Sequence, residues 1–171
     1  MGPLKIIVRI LSWICYVIIG IYALVCVPMV TGAKPVVVLS GSMLPTYSVG
    51  TIIYYKQVPK EEIKANDVIT FEMNSETLVT HRVVEIKNGE YVTRGDNNNT
   101  NDGKTVPYEK VKGKVDGLAI PILGFGVQFI NSNMWVFAII IAILIAEFLL
   151  SNMKSDKISV SEKGQKHEED V

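Results

Sequence analysis

The stretch Thr77–Arg94, TLVTHRVVEIKNGEYVTR, decides the fold class. Two runs rich in β-branched and aromatic residues, Thr77–Ile86 and Glu90–Arg94, flank Lys87-Asn88-Gly89. Asn-Gly between strand-like runs is a strong hairpin signal, because a tight two-residue turn needs positive φ at both central positions. With Asn88-Gly89 as that turn, Lys87 faces Glu90, and counting back along both strands puts His81 opposite Asp96. Opposed residues share a face with Cβ atoms roughly 4.5–5.5 Å apart. A bulge would move the register by one residue and turn the pair away from each other.

Outward from the hairpin, the chain keeps the same texture. VVVL (Val36–Leu39), TIIYYKQV (Thr51–Val58), DVITFEM (Asp67–Met73) and the region of VKGKVDG (Val111–Gly117) are short runs of strand-forming residues. PKEEIKAN and GDNNNTNDGKT are polar, as connections are. No ten-residue helical pattern interrupts this series, and no internal repeat, dinucleotide-binding or phosphate-loop motif occurs in it. The reading is mainly β: a small antiparallel domain over residues 33–133.

The two ends differ. Ile10–Val30 is an apolar run without charge, preceded by Lys5 and Arg9. A bilayer crossing takes roughly 20 apolar residues, and a signal-peptide core only ~7–15, so residues 1–32 are expected to form a short stub and a retained anchor. Met134–Leu150 is a second apolar run, with Glu147 near its end. Residues 134–150 are expected to form a second transmembrane helix, and the polar segment 151–171 a disordered cytoplasmic tail. Basic residues flank both runs on their outer sides, Lys5 and Arg9 before the first and Lys154 and Lys157 after the second. By the positive-inside rule this places both termini in the cytoplasm and residues 33–133 outside.

Lys plus Arg and Asp plus Glu both number 17 in the 171 residues, so no overall field points to nucleic acid. Both cysteines, Cys15 and Cys26, fall in the first apolar run. The outer domain therefore has no thiol nucleophile and no thiolate metal site, and no cofactor is expected.

What the outer domain does hold is Ser42 in the turn after its first strand, His81 as its single histidine, and the acids Asp96 and Asp102. Each has an ordinary explanation alone: a turn serine, a packed strand histidine, a turn-capping or solvated acid. Together they supply nucleophile, base near neutral pKa, and orienting acid. Ser40, two residues before Ser42, either offers a hydroxyl to an oxyanion or caps the strand.

Five segments then carry a resemblance. SGSMLPT (Ser40–Thr46), IKANDVITFE (Ile63–Glu72), THRVVEI (Thr80–Ile86), TRGDNNNTND (Thr93–Asp102) and VKGKVDGLAIPILGFG (Val111–Gly126) resemble the type I signal peptidase family in order and approximate spacing. His81 stands where the common bacterial enzymes carry a lysine base. That is similar to the branch of the endoplasmic reticulum, archaea and sporulating Gram-positive bacteria. The resemblance implies a serine endopeptidase that removes signal peptides from secreted preproteins, with small side chains at the first and third positions before the cut. It implies Ser42 as nucleophile and His81 as base. It also implies a plasma-membrane location with an extracytoplasmic active site, and the bilayer and the secretion translocon as partners. The branch usually gives the orienting role to the later acid, Asp102, whereas the hairpin register favours Asp96. Three positions depart from the branch: Leu44 for glutamate, Thr51 for an acid, and Asn66 for glycine. A serine–lysine self-cleaving repressor is disfavoured by His81 and the two apolar runs. A membrane-tethered, non-catalytic β module for protein–protein interaction keeps the same fold and remains the alternative.

Overall fold

The computed structural model describes residues 3–74 and 77–169, with side chains described as far as Asn152. Contacts divide the chain into two compact units, Val25–Phe129, and Met1–Leu24 with Ile130–Val171.

The first unit is built on one sheet. Among the described residues its strands are β1 (Lys34–Val37), β2 (Ile52–Lys56), β3 (Val68–Asn74), β4 (Thr77–Lys87), β5 (Glu90–Arg94) and β6 (Val111–Ile120). They form a six-stranded sheet in the order β1-β2-β6-β3-β4-β5, with every neighbouring pair antiparallel. The alternation read from the sequence appears as alternating burial: along β5, Tyr91 and Thr93 are buried while Glu90, Val92 and Arg94 are not. The β4–β5 turn has positive φ at Asn88 (51°) and Gly89 (80°), as an Asn-Gly hairpin requires.

Two clusters fill the sheet faces near the site. Met43, Tyr47, Ile53, Tyr55, Val68 and Val115 make one together with Val38, and Val36 and Ala119 pack against it. Ile69, Phe71, Val83, Tyr91, Val106 and Val111, with Ile63, make the other. Burying one such side chain contributes about 1.5–3 kcal/mol, so Met43, 1% exposed, is a strong anchor for the turn that carries Ser42. A helix, Leu123–Ser132, follows β6 where the sequence shows only a glycine-broken apolar run. Its Gly124 N–H donates to Gly50 O at 2.9 Å. A Cβ at Gly124 would sit 2.6 Å from that oxygen, so the close approach requires glycine.

The second unit is helical. A 24-residue helix, Pro3–Cys26, begins in it, and a second helix runs over Trp135–Glu169. The latter continues past residue 150 as far as Glu169. Among the described residues, Pro3–Thr31 and Trp135–Asn152 are long and apolar enough to cross a membrane. Their apolar side chains face outward in number, including Ile10, Trp13, Val17, Ile141, Ile145 and Phe148. Tyr16 Oη donates to Glu147 Oε2 at 3.1 Å, which gives the one acid of the second apolar run a partner within this unit.

Candidate active site

Ser42 sits in a single 3₁₀ turn, Gly41–Met43, which Val38, Leu39 and Ser40 join to the end of β1. Three backbone bonds fix that turn: Leu44 N–H to Gly41 O (3.1 Å), Tyr47 N–H to Met43 O (2.9 Å) and Asn97 N–H to Ser42 O (2.8 Å). The last one joins the turn to the loop after β5. Gly95 makes this approach possible, because a Cβ there would lie 2.6 Å from Ser42 O and 3.0 Å from His81 Nε2. Any side chain at 95 would push the serine and the histidine apart.

His81 lies on β4, only 8% exposed, with its ring edge-on to Phe71 at 6.4 Å between centroids. Its Nδ1 is 2.7 Å from Asp102 Oδ2 and its Nε2 is 3.2 Å from Ser42 Oγ. A carboxylate beside Nδ1 holds the ring proton there, which leaves Nε2 as the acceptor for the serine hydroxyl. Ser40 Oγ lies 3.3 Å from Ser42 Oγ. With the Ser42 proton directed at His81, the Ser40 hydroxyl is the donor of that pair. Hydroxyl, imidazole and carboxylate in this order can pass a proton from oxygen to nitrogen while the ring stays oriented.

The acid beside His81 is Asp102, and not Asp96 as the hairpin register expects. The pairing runs Lys87↔Glu90, Ile86↔Tyr91 and Glu85↔Val92, then slips to Val83↔Thr93 and Arg82↔Arg94. One extra residue on β4 between Val83 and Glu85 is a β-bulge. It brings His81 level with Gly95 instead of Asp96, and the expected His81–Asp96 pairing is corrected accordingly. Asp102 reaches His81 from the far end of the loop.

Asp96 instead meets the neighbouring Arg82. Arg82 Nε donates to Oδ1 at 2.8 Å and Nη2 to Oδ2 at 2.6 Å, while Thr46 Oγ1 also donates to Oδ2 at 2.5 Å. The third arm of the guanidinium, Nη1, donates to Asn66 O at 2.8 Å. Asn66 has φ of 75°, a left-handed conformation that glycine and asparagine adopt most readily. That accounts for asparagine at a position where the resembling branch has glycine. Arg82 thus ties the turn before β3 to Asp96, and Asp96 ties Thr46, four residues after Ser42, to the loop.

The Arg82 hydrogen bonds hold the Asp96 carboxyl below the usual carboxylate range, against an opposing effect of burial. A depressed native pKa stabilises the fold wherever the group is charged. That stabilisation is complete above the unfolded value of about 3.9 and is lost as pH falls through the lower native value. Asp96→Asn is therefore expected to melt below wild type by the same margin at pH 7 and at about pH 5. The margin should shrink below about pH 4, and thermal unfolding followed across that range checks it.

Two contributors escaped the sequence reading. Thr93, fully buried on β5, donates its hydroxyl to Asp102 Oδ2 at 2.6 Å. Arg82 was visible only as the residue after the histidine. Neither carries a local signal, since threonine is ordinary in strands and arginine is ordinary at surfaces. Among the described residues, no group of three or more His, Cys, Asp or Glu is placed to hold a metal ion.

An antiparallel β domain that lines up a serine hydroxyl, an imidazole and a carboxylate is built as hydrolases are. Comparison with known proteins narrows the class. The chain is 36% identical to Signal peptidase I W of Bacillus subtilis (strain 168) over 130 residues, 66% of this chain and 68% of that protein. It is 32% identical to the Signal peptidase complex catalytic subunit SEC11C of Homo sapiens over 82 residues, 43% of each chain. Against the SEC11 catalytic subunit of Candida dubliniensis identity is 29% over 112 residues, 58% of this chain and 67% of that one. No protein-family model matches the chain. The chain belongs to the type I signal peptidase family, in the branch of these relatives, and is a hydrolase.

Proposed function

We propose that this protein is a membrane-bound serine endopeptidase that removes N-terminal signal peptides from secreted preproteins. The observation that carries the reading is the continuous line Ser42 Oγ–His81 Nε2 (3.2 Å) and His81 Nδ1–Asp102 Oδ2 (2.7 Å) in a chain of this family. Ser42 attacks the scissile carbonyl as His81 takes its proton. Asp102 holds the ring and stabilises its charged form. The Ser42 backbone N–H and the Ser40 hydroxyl face the developing oxyanion, and each such donor is worth about 2.7–4 kcal/mol. Collapse of the tetrahedral intermediate returns the proton to the leaving amine, and water then hydrolyses the acyl-serine by the same route in reverse. Asp96 acts one step back, by holding the Ser42 turn through Thr46.

The substrate reaches Ser42 as an extended strand. β1 is the last strand on its side of the sheet, with no partner on its outer edge among the described residues, and it leads into the serine turn. An extended peptide adding to such an edge gains main-chain hydrogen bonds, and alternate side chains meet the surface. The two apolar helices anchor the chain in the plasma membrane, with both termini cytoplasmic and residues 33–133 outside. Only about a dozen residues link the first anchor to Ser42, at most ~40 Å of extended chain, which suits a scissile bond leaving the bilayer. The secretion translocon is the partner that delivers such substrates.

The test is cleavage of a labelled preprotein by the full chain in liposomes, with the product's new N-terminus sequenced. A single cut after a small residue is expected, abolished when that residue is replaced by a large aromatic one. No cut across several preproteins would leave the non-catalytic β module as the account of this chain.

A further inference from the structure

We infer that Thr93 is a positioning residue for the reaction, the group that aims the acid at the histidine. The inference rests on the Ser42–His81–Asp102 reading above. Asp102 lies in a long polar loop, nine residues beyond Thr93, and a carboxylate on such a loop has many orientations open to it. Thr93 holds it at two points. The Asp102 N–H donates to Thr93 O at 2.8 Å, and the Thr93 hydroxyl donates to Asp102 Oδ2 at 2.6 Å. That same oxygen is the one 2.7 Å from His81 Nδ1.

The hydroxyl therefore selects which carboxylate oxygen the imidazole meets and fixes its direction. Thr93 has no exposed surface, so it touches neither substrate nor solvent. β5 is a firm base for it, paired along its length with β4 and bridged at Tyr91 to Val106. The donor also takes up part of the carboxylate's charge.

Thr93→Val keeps the shape and removes the donor, and Thr93→Ser keeps the donor. In full-length protein reconstituted in liposomes, Thr93→Val is expected to lower kcat roughly 10–100-fold, the scale of one hydrogen bond to a charged group. KM should stay near wild type. Thr93→Ser should recover to within about threefold of wild type. In an Asp102→Ala background the valine substitution should add nothing, because residues acting through one another are not additive. Wild-type kcat in Thr93→Val overturns the inference. So does an equal loss in the serine and valine variants, or a valine effect that persists without Asp102. Ser42→Ala run alongside separates the cases: if it still cuts, the parent mechanism has failed and the inference falls with it, whereas a dead Ser42→Ala makes the Thr93 variants decide the inference alone.

Discussion

Ser42→Ala is expected to lower the turnover of a membrane-inserted precursor by about 10⁴–10⁶-fold, and His81→Ala by a similar factor. In the proposed mechanism the two residues share one proton transfer, so the double variant should be no slower than either single one. The fold should survive both changes. Among the described residues the Ser42 side chain bonds only Ser40 and His81, while the turn is held by backbone bonds and by Met43 in the core. A melting temperature near wild type in Ser42→Ala, with KM little changed, would show that the loss lies in the chemical step. His81 is more deeply packed, against Phe71, so His81→Gln serves as its shape-keeping companion. Turnover in Ser42→Ala above a thousandth of wild type would remove Ser42 as nucleophile and leave the geometry without its chemistry.

Strands are legible in this sequence because local rules and burial agree. Asn88-Gly89 demands its turn, and the runs either side alternate as a half-buried strand must. Ser42 and His81 are legible for a different reason: the outer domain has a single histidine, so few pairings were open. Which acid stands beside His81 was not legible. It depends on one extra residue in β4, and nothing in Val83-Val84-Glu85 distinguishes a bulged valine from a paired one. A two-residue periodicity turns that single slip into the opposite answer. The helix at Leu123–Ser132 was hidden by glycines that favour turns locally, of which Gly124 here permits contact with Gly50. The positive φ at Asn66 shows the converse, a departure from the family pattern that the backbone explains.

Asp102→Asn and Asp96→Asn are expected to part company in rate and in stability. Asp102→Asn keeps the size of the side chain but removes the charge that holds the Nδ1 proton and favours the imidazolium. An asparagine amide can donate to Nδ1 instead, which puts the ring proton on Nε2, where it blocks acceptance from Ser42. The comparable exchange in a serine protease triad costs about 10⁴ in kcat, and the same order is expected here. Stability should change little, because the 102 backbone N–H keeps its bond to Thr93. Asp96→Asn removes no group from the line to Ser42. It breaks a two-pronged contact with Arg82, whose side chain is 32% exposed against 14% for Asp96. Hydrogen bonds between charged groups of this kind contribute about 1.5–3 kcal/mol. The cost should therefore appear first as a lower melting temperature. The rate should fall by roughly 10–100-fold, through the loosened Thr46 and the serine turn. Measuring kcat and melting temperature on both variants separates the roles. A stable Asp96→Asn that loses 10⁴ in kcat would return the orienting role to Asp96, and the Arg82 contact would then be incidental to the chemistry.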